Sequence, residues 1–394
     1  MQNLNRRDWL RASLISGLGL AGMPVSNAFA GSCEPWLNDE AAFLGGETPD
    51  TKPPKGTGLK ARLSANENPY GPSPKVLKAI TEAAPDGFLY AMEQARQFRK
   101  MVATEEGVSE ECVLLGAGSG ELLNATAMYY AYKTPAGNNL VFPDPTFEAL
   151  PRAALRHGMV AERVPLVAAD AYDQNMQKLS DRITGKTSLV YLCNPNNPTA
   201  ILTDPAKLRS FIEATSDKTP VFVDEAYIDY VADPKSASMV DLVRKGKNVI
   251  ISKTFSKVHG FAGLRIGYLL AKPELIAQIA PFSPNGGGIS MTSVRAALTS
   301  MPDKEFLKWS LRKTAESKTY LAKVLKENGY EPLPSDTNFV MFPIRMKGED
   351  FVAKMMENGV SIRQWKFDGQ YWCRVSLGTM PQMQAFAEGL KVIS

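Results

Sequence analysis

The sequence is poor in the residues that build structural metal sites. It contains two histidines, His157 and His259, and four scattered cysteines without a Cys-x-x-Cys pair. A structural zinc site needs closely spaced Cys and His ligands, so this composition argues against one. Three of the cysteines lie in strand-like apolar runs, where buried free thiols are expected, and no disulfide is predicted. The four cysteines are Cys33, Cys112, Cys193 and Cys373.

Strong charge of one sign and long apolar runs are also missing. The formal net charge is +4 over 394 residues, and no long Lys/Arg run occurs, so nucleic-acid binding is not predicted. The apolar stretch from Leu14 to Met23 is far shorter than the roughly 20 residues that span a bilayer. Hydrophobic residues make up 44% of the chain, which is enough for a large core, and the length predicts two or three domains.

The first part of the chain has the layout of an export signal. Arg6 and Arg7 stand together, a mildly apolar stretch follows, and residues 28–30 read Ala-Phe-Ala, a small-x-small cleavage site. The paired arginines resemble a twin-arginine signal, which implies the twin-arginine export machinery and a periplasmic or otherwise exported protein. The mature chain then begins at Gly31, without stable membrane insertion. The alternative is an uncleaved N-terminus that tethers the protein to the membrane.

Short continuous apolar runs alternate with helical patterns from about residue 75 onward. Runs without polar alternation are typical of strands that are buried on both faces of a mostly parallel sheet. The alternation of strands and helices predicts an α/β layered domain. The candidate core strands are residues 113–115, 139–142, 188–192, 221–223 and 249–251.

A long amphipathic segment, roughly Asp303–Asn328, follows these runs and is a candidate connection between two domains. Beyond it, residues 339–342 and 372–377 are expected to be strands, and 351–358 and 380–392 helices, of a smaller α+β domain. We therefore predict a signal peptide (1–30), an N-terminal arm contributing to the small domain (31–75), a three-layer α/β large domain (76–290), and an interdomain helix with a small C-terminal domain (291–394).

Four polar segments stand where predicted strands end, which is where open α/β sheets bind ligands. Taken singly, each has a plain structural explanation: a Gly-rich turn, an Asn/Pro turn, a helix N-cap aspartate or a Ser/Lys-rich surface turn. All four in this order are a far more specific pattern. They are Gly116–Glu121, Cys193–Thr199, Asp224–Tyr227 and Ser252–Lys257.

These segments carry groups suited to a phosphorylated ligand. The last one combines hydroxyls with a cation, as a phosphate monoester requires. Lys257 becomes an imine-forming nucleophile if burial or a neighbouring cation such as Arg265 lowers its pKa. The backbone N–H groups of Ser119 and Gly120, at a predicted helix start, form an anion site. Asp224 is a candidate metal ligand, base or partner of a buried cation.

With the opening segment 66–72 (NENPYGP), the four motifs resemble the fold-type I, class I/II pyridoxal-phosphate aminotransferases. By motif, the nearest branch is that of the histidinol-phosphate aminotransferases, over about residues 66–379. The resemblance implies an aspartate-aminotransferase-like fold and pyridoxal 5'-phosphate (PLP) as cofactor. It implies transfer of an amino group between an amino acid, or amino-phosphate, and a 2-oxo acid.

Other activities remain open at this point. A PLP-dependent lyase, racemase or oxidase acting on an amino acid uses the same scaffold, and the motifs around Lys257 do not separate these outcomes from transamination. A cofactor-free periplasmic binding protein also has an export signal and α/β domains. Such a protein, however, would not need Lys257, Asp224 and Asn197 to converge.

The resemblance assigns roles around the cofactor ring residue by residue. Lys257 is similar to the lysine that holds the cofactor as a Schiff base and then moves a proton as a free amine. Asp224 resembles the carboxylate that pairs with the pyridine nitrogen. Asn197 and Tyr227 resemble the donors to the 3-oxygen, and Phe147 occupies the place of the aromatic residue that stacks on the ring.

The resemblance also implies a phosphate cup and a partner subunit. Ser119 and Gly120 by their backbone, with Ser256 and Arg265, are similar to the residues that hold the cofactor phosphate. Tyr90 resembles the tyrosine that reaches this phosphate from the partner subunit. The implied assembly is a homodimer with shared active sites.

Four further residues are implied on the substrate side. Arg374 resembles the clamp for the substrate α-carboxylate, because a guanidinium binds a carboxylate as a two-pronged fork. Asn338 is expected to assist it, Arg363 is similar to a second anion-binding arginine, and Tyr70 belongs to the opening motif at the substrate. No metal is implied. His259, close after the lysine, is expected to be a core or surface histidine, with a second proton carrier as the alternative.

Overall fold

The computed structural model describes residues 58–393, so the predicted signal and most of the predicted arm lie outside the described residues. Within the described part the strands are β1 (Ala61–Arg62), β2 (Val113–Gly116), β3 (Asn139–Asp144), β4 (Val160–Pro165), β5 (Thr187–Cys193), β6 (Val221–Asp224), β7 (Val249–Thr254), β8 (Gly267–Leu270), β9 (Phe339–Ile344), β10 (Val360–Ser361), β11 (Arg363–Phe367) and β12 (Gln370–Ser376).

The helical segments predicted at 303–328, 351–358 and 380–392 are close to three helices of the structure, Lys304–Glu327, Gly348–Glu357 and Met380–Ile393. Several α-helices of the described region start with proline in the first turn after a polar cap, as in the helix at Pro205 that follows Asp204. The α-helices of this region are α1 (Pro74–Ala83), α2 (Met92–Glu106), α3 (Ser119–Lys133), α4 (Ala149–Arg156), α5 (Met176–Ser180), α6 (Pro205–Thr215), α7 (Pro234–Ala237), α8 (Val240–Arg244), α9 (Pro273–Ile279), α10 (Met291–Ser300), α11 (Lys304–Glu327), α12 (Gly348–Glu357) and α13 (Met380–Ile393).

A seven-stranded sheet of order β2-β8-β7-β6-β5-β3-β4 forms the centre of the larger part. Strand β8 runs antiparallel to both of its neighbours, and the remaining pairs are parallel. The predicted α/β class with a mostly parallel central sheet is confirmed. Since β2 and β7 both run antiparallel to β8, the ends of β2, β5, β6 and β7 lie at one edge of the sheet.

Both faces of this sheet are covered by apolar cores. Along β6, Val221 and Val223 belong to one core cluster and Phe222 to another. The alternation follows from the two-residue period of a strand, which directs successive side chains to opposite faces. Continuous apolar runs in the sequence therefore correspond to strands with no solvent-facing side, as predicted.

A second, smaller sheet is antiparallel and has the strand order β11-β12-β9. Its own core includes Phe342 and Phe351 together with residues of α13 such as Phe386. The short strand β1, within the segment predicted as an arm, pairs in parallel with β10. The chain before the large sheet thus packs against the elements that follow it.

Two strands of the large sheet differ from what the sequence predicts. Strand β4 was not predicted, because it is a partly exposed edge strand that mixes apolar and charged residues and has no continuous apolar run. The sequence also predicts a Gly-rich apolar strand after the Ser252–Lys257 segment, from about Gly260, but this strand, β8, begins at Gly267. Before that point the backbone turns, with Arg265 at a φ of 52°.

The state of the cysteines and the lengths of the apolar helices can be compared with the sequence-based expectations. Cys112, Cys193 and Cys373 are buried free thiols, as expected, whereas Cys33 lies outside the described residues. Between residues 58 and 393, no helix combines the length and apolarity that crossing a membrane requires.

Candidate active site

The four polar segments meet at the edge where β2, β5, β6 and β7 end. Asp224 is the last residue of β6, and it pairs across the sheet with Cys193 on one side and Ser252 on the other. The segment that follows β7 places Lys257 Nζ 5.4 Å from the ring centroid of Tyr227. The chain thus brings the predicted lysine, acid and tyrosine into one site.

Lys257 presents a buried amine at the centre of this site. Its Nζ donates a hydrogen bond to the backbone oxygen of Asn66 at 3.2 Å. Burial, together with the nearby Arg374, lowers the pKa of Lys257 from its ordinary value of 10.5 to about 8. The lowered pKa increases the fraction of unprotonated amine near neutral pH, and this is the form that attacks a carbonyl carbon.

Asp224 is a buried carboxylate with one oxygen available for a ligand. The hydroxyl of Tyr191 donates to Oδ2 at 3.4 Å, and Oδ1 has no hydrogen-bond partner among the described residues. Burial raises the pKa of Asp224 to about 6. A buried carboxylate oxygen without a donor is costly, so this atom calls for a donor from a bound group.

Asn66, near the start of the described residues, is hydrogen-bonded to several residues of the site. Its side-chain amide donates to the hydroxyl of Tyr227 at 3.0 Å. Its backbone N–H donates to Ser376 Oγ at 2.8 Å, and the Ser376 hydroxyl donates to its Oδ1 at 2.9 Å. Asn66 has a φ of 53°, a left-handed conformation that asparagine tolerates better than most residues. Burial raises the pKa of Tyr227, so its phenol stays protonated.

Two arginines from the smaller sheet face this group. Arg363 and Arg374 are cross-strand partners on β11 and β12, so their side chains share one face of the sheet. Arg374 donates from Nη1 to Asn197 Oδ1 at 2.6 Å and from Nη2 to the backbone oxygen of Ser64 at 2.7 Å. Burial lowers the pKa of Arg374 to about 9 and that of Arg363 to about 10, and both remain cations at neutral pH.

The start of α3 and the turn around Arg265 form a cradle for an anion. Helix α3 begins at Ser119 after Gly118, and no side chain caps its first N–H groups. Arg265 Nη1 donates to Ser256 Oγ at 3.3 Å. A Cβ at Gly118 would collide with the Arg265 guanidinium, and a Cβ at Gly267 would lie 2.7 Å from the Ser119 nitrogen. Backbone donors, a hydroxyl and a cation therefore converge in a space that only glycine leaves open.

Other predicted residues lie around or outside this group. Phe147 is half-buried against the core next to the site. Asn338 donates to the backbone oxygens of Asn66 and Glu67 at 3.0 and 3.3 Å. Tyr70 packs edge-on against the Trp309 ring at 5.0 Å.

Tyr90 and His259 stand apart from the convergent residues. The Tyr90 side chain is 87% exposed. His259 stacks on Phe255 at 4.1 Å, its Nδ1 bonds Ser300 Oγ at 2.8 Å, and burial lowers its pKa to about 3. His259 is therefore a neutral core histidine, which agrees with the expectation of a core or surface residue and not with that of a second proton carrier.

Three residues at the site were assigned no role from the sequence: Asn66, Tyr191 and Trp365. Asn66 lies in the opening segment that carried the resemblance, which was a usable signal. Tyr191 lies inside a buried strand and Trp365 follows Arg363 by two residues, and neither belongs to a motif. Nothing in the local sequence distinguishes them from ordinary core aromatics.

Comparisons with known proteins agree with this arrangement. Residues 60–390 match the family described as Aminotransferase class I and II. A histidinol-phosphate aminotransferase of Moorella thermoacetica is 32% identical over 338 residues, which cover 84% of this chain and 85% of that protein. The corresponding enzyme of Halalkalibacterium halodurans is 32% identical and covers 84% of this chain and 89% of its own length.

A solved structure has the same fold. The histidinol-phosphate aminotransferase of Sinorhizobium meliloti, in complex with pyridoxal-5'-phosphate, aligns with a TM-score of 0.78 and 27% identity. The alignment covers 88% of this chain and 96% of that one. The family match spans both sheets and all four convergent segments. This chain therefore belongs to the family of class I and II aminotransferases.

Proposed function

We propose that this protein is a PLP-dependent aminotransferase that moves an amino group between an amino acid, or an amino-phosphate, and a 2-oxo acid, with Lys257 holding the cofactor. The observation that carries the proposal is the presence of a buried amine and a buried carboxylate at one sheet edge. Lys257 and Asp224 act electrostatically on each other, and Asp224 Oδ1 has no donor among residues 58–393.

The residues at the site fit PLP. The unpartnered Asp224 oxygen suits the N–H of a protonated pyridine ring. The cradle formed by Ser119, Ser256 and Arg265 suits a phosphate dianion. When bound, PLP supplies an aldehyde that links amines and a ring that withdraws electrons from the substrate Cα.

The chain's own groups then perform the proton transfer. Lys257 Nζ, with its pKa near 8, takes a proton from the substrate Cα and returns it during turnover. Asp224 would keep the ring nitrogen charged, because a buried carboxylate stabilises a cation at hydrogen-bond distance. Tyr227 and Asn197 would donate to the ring hydroxyl oxygen.

The two arginines define the substrate class. Arg374 is positioned for the α-carboxylate, and Arg363 lies next to it on the same sheet face. Two neighbouring guanidiniums on one sheet face offer fork-shaped donor sets for two anionic groups. We therefore propose substrates with a second negative group, a carboxylate or a phosphate.

Borohydride reduction followed by peptide mapping tests the cofactor assignment. A pyridoxyl group is expected on Lys257 and not on Lys253, and a Lys257→Ala protein should lose the absorbance of bound cofactor. A label elsewhere, or none, overturns the proposal. Mixing the purified protein with amino acids should release the 2-oxo acid with conversion of the cofactor to its amine form. Release of free ammonia instead would favour the lyase alternative.

We also propose that the protein is a homodimer with shared active sites. An exposed apolar cluster surrounds Tyr90: Phe88 is 83% exposed, Leu89 51% and Met92 61%. Contiguous exposed apolar side chains of this kind favour an interface. In a shared-site dimer, mixing inactive Tyr90→Ala and Lys257→Ala proteins regenerates some intact sites. Partial recovery of activity is expected. If differently tagged variants co-purify, which shows that subunits have exchanged, and activity still does not recover, the sites are not shared.

Export is proposed from the N-terminal segment alone. Its support is the Arg6-Arg7 pair and the small-x-small sequence at residues 28–30. Replacing both arginines by lysine should retain the protein inside the cell, and mass spectrometry of the exported form should find Gly31 as its first residue. An unprocessed protein in the membrane fraction would favour the tethered alternative.

A further inference from the structure

The guanidinium of Arg374 lies between two aromatic rings. Its Cζ is 4.6 Å from the ring centroid of Trp365 and 5.2 Å from that of Phe339. Phe339 is fully buried, whereas Trp365 is half-buried. A guanidinium stacks on aromatic faces more readily than an ammonium does, and the attraction is stronger where water is excluded.

The register of the smaller sheet produces this contact. Trp365 follows Arg363 by two residues on β11, so both side chains lie on the same face. Because Arg363 is the cross-strand partner of Arg374, Trp365 stands on the diagonal from Arg374. Long and aromatic side chains reach each other across such a diagonal. The pairing register of β11 and β12 therefore brings the Trp365 ring next to Arg374.

Stacking limits where Arg374 can bind an anion. The donor N–H groups of a guanidinium lie in its own plane, so contacts with the two rings favour ligands that approach along that plane. Two of these N–H groups are used by Asn197 and Ser64, and the buried Nε has no hydrogen-bond partner within the described residues. A carboxylate that lies in the guanidinium plane meets the remaining donors with the geometry of a two-pronged fork.

We propose that Trp365 is a positioning residue, which holds the Arg374 guanidinium in the plane required to bind the substrate carboxylate. The inference rests on the proposed function, because it takes Arg374 as the carboxylate clamp. Trp365 also lines a cavity of about 590 Å³ together with Thr146 and Phe367. Shortening its side chain therefore enlarges an existing space and does not open a new void in the core.

The test compares Trp365→Leu and Trp365→Gln with Trp365→Phe, which keeps a ring. Phe367→Leu is the matched control. Phe367 lies on the same strand and face and lines the same cavity, and among the described residues its ring makes no cation–π contact with Arg374. KM and kcat are measured with L-glutamate, whose two carboxylates suit the arginine pair. Succinate, a dicarboxylate without an amine, is titrated calorimetrically into the cofactor-loaded enzyme.

The two non-aromatic variants should raise the KM for L-glutamate and the Kd for succinate about tenfold. The kcat should change much less, because Lys257 and Asp224 are untouched, and Trp365→Phe should restore most of the affinity. Unchanged constants in the non-aromatic variants overturn the inference. So does an equal loss in Phe367→Leu, or a lack of rescue by Trp365→Phe.

The inference and the proposed function fail in different ways. Absence of a pyridoxyl label on Lys257 in the unaltered protein overturns the function. A normal label with unaltered succinate binding in folded Trp365 variants overturns the positioning role alone. Thermal melting and cofactor absorbance establish that each variant is folded before its binding is compared.

Discussion

Loss of Lys253 is expected to destabilise the protein far more than loss of a surface lysine. Lys253 Nζ lies 2.9 Å from both carboxylate oxygens of Glu106 and 3.7 Å from Glu225 Oε2. The side chains are 16%, 12% and 1% exposed, respectively. Tyr268 also donates to Glu106 at 2.6 Å. Lys253 lies on the sheet face opposite Asp224, because Asp224 pairs with Ser252 and Lys253 is the next residue of β7.

The expected cost follows from this burial. Replacing one partner of a buried ion pair by an apolar residue leaves the other charge uncompensated. This typically costs about 3–5 kcal/mol of folding stability. For Lys253→Met we expect about 3 kcal/mol, the low end, because the pair retains some contact with water. The matched control is Lys304→Met. Lys304 pairs with Glu105 at 2.6 Å with side chains 50% and 45% exposed, and such a pair contributes about 1 kcal/mol or less.

Urea denaturation of the cofactor-loaded proteins, at one protein concentration, provides the assay. The Lys253→Met midpoint should fall well below that of the unaltered protein, and the Lys304→Met midpoint should barely move. Adding Glu106→Gln to Lys253→Met should recover part of the loss, because one buried charge is removed. Equal losses in the two lysine variants, or no recovery in the double variant, would refute the reasoning.

Two further predictions concern the cofactor. Gly118→Ala should weaken PLP binding at least about tenfold, because the added Cβ displaces Arg265 from the phosphate cradle, and charge-assisted bonds contribute about 1.5–3 kcal/mol. Gly137→Ala is the control for backbone strain alone, because Gly137 has a φ of 85° and open space around it. If absorbance titrations give the two variants equal affinities for PLP, the collision with Arg265 is not the cause. The reaction of cofactor-free protein with PLP should rise with pH around a midpoint near 8, the pKa of Lys257. Asp224→Asn should lower that midpoint, since it removes a carboxylate that favours the ammonium, and an upward shift in stopped-flow absorbance would disprove the coupling.

Much of the fold was predictable because the strands of the large sheet are buried on both faces. In a strand such as β6, Val221, Phe222 and Val223 are all buried, so its sequence is a continuous apolar run. The same reasoning fails for β4, whose exposed edge tolerates charged residues. It also could not predict the direction of β8, because strand direction depends on pairing partners far away in the chain.

Most of the predicted site residues that converge belong to motifs at strand ends, whereas Arg363 and Arg374 come from two paired strands of the smaller sheet. Lys257, Asp224 and Asn197 follow buried strands, and parallel strands place their ends at a common edge. Tyr90 is different, because its predicted role needs a second subunit and its side chain is exposed in the single chain. Its role, like the roles of the other site residues, stays a prediction until the experiments above are done.

The sequence by itself determined the α/β class, the family and the loops that carry the reactive lysine and its acid, because these depend on local patterns of burial and on turns at strand ends. Only the tertiary structure decided how the site is closed. Asn66 and Ser376 are 310 residues apart in the chain yet hydrogen-bonded, and Trp365 reaches Arg374 through the register of a sheet. Such contacts arise from the packing of distant segments, where no local pattern records which residues will meet.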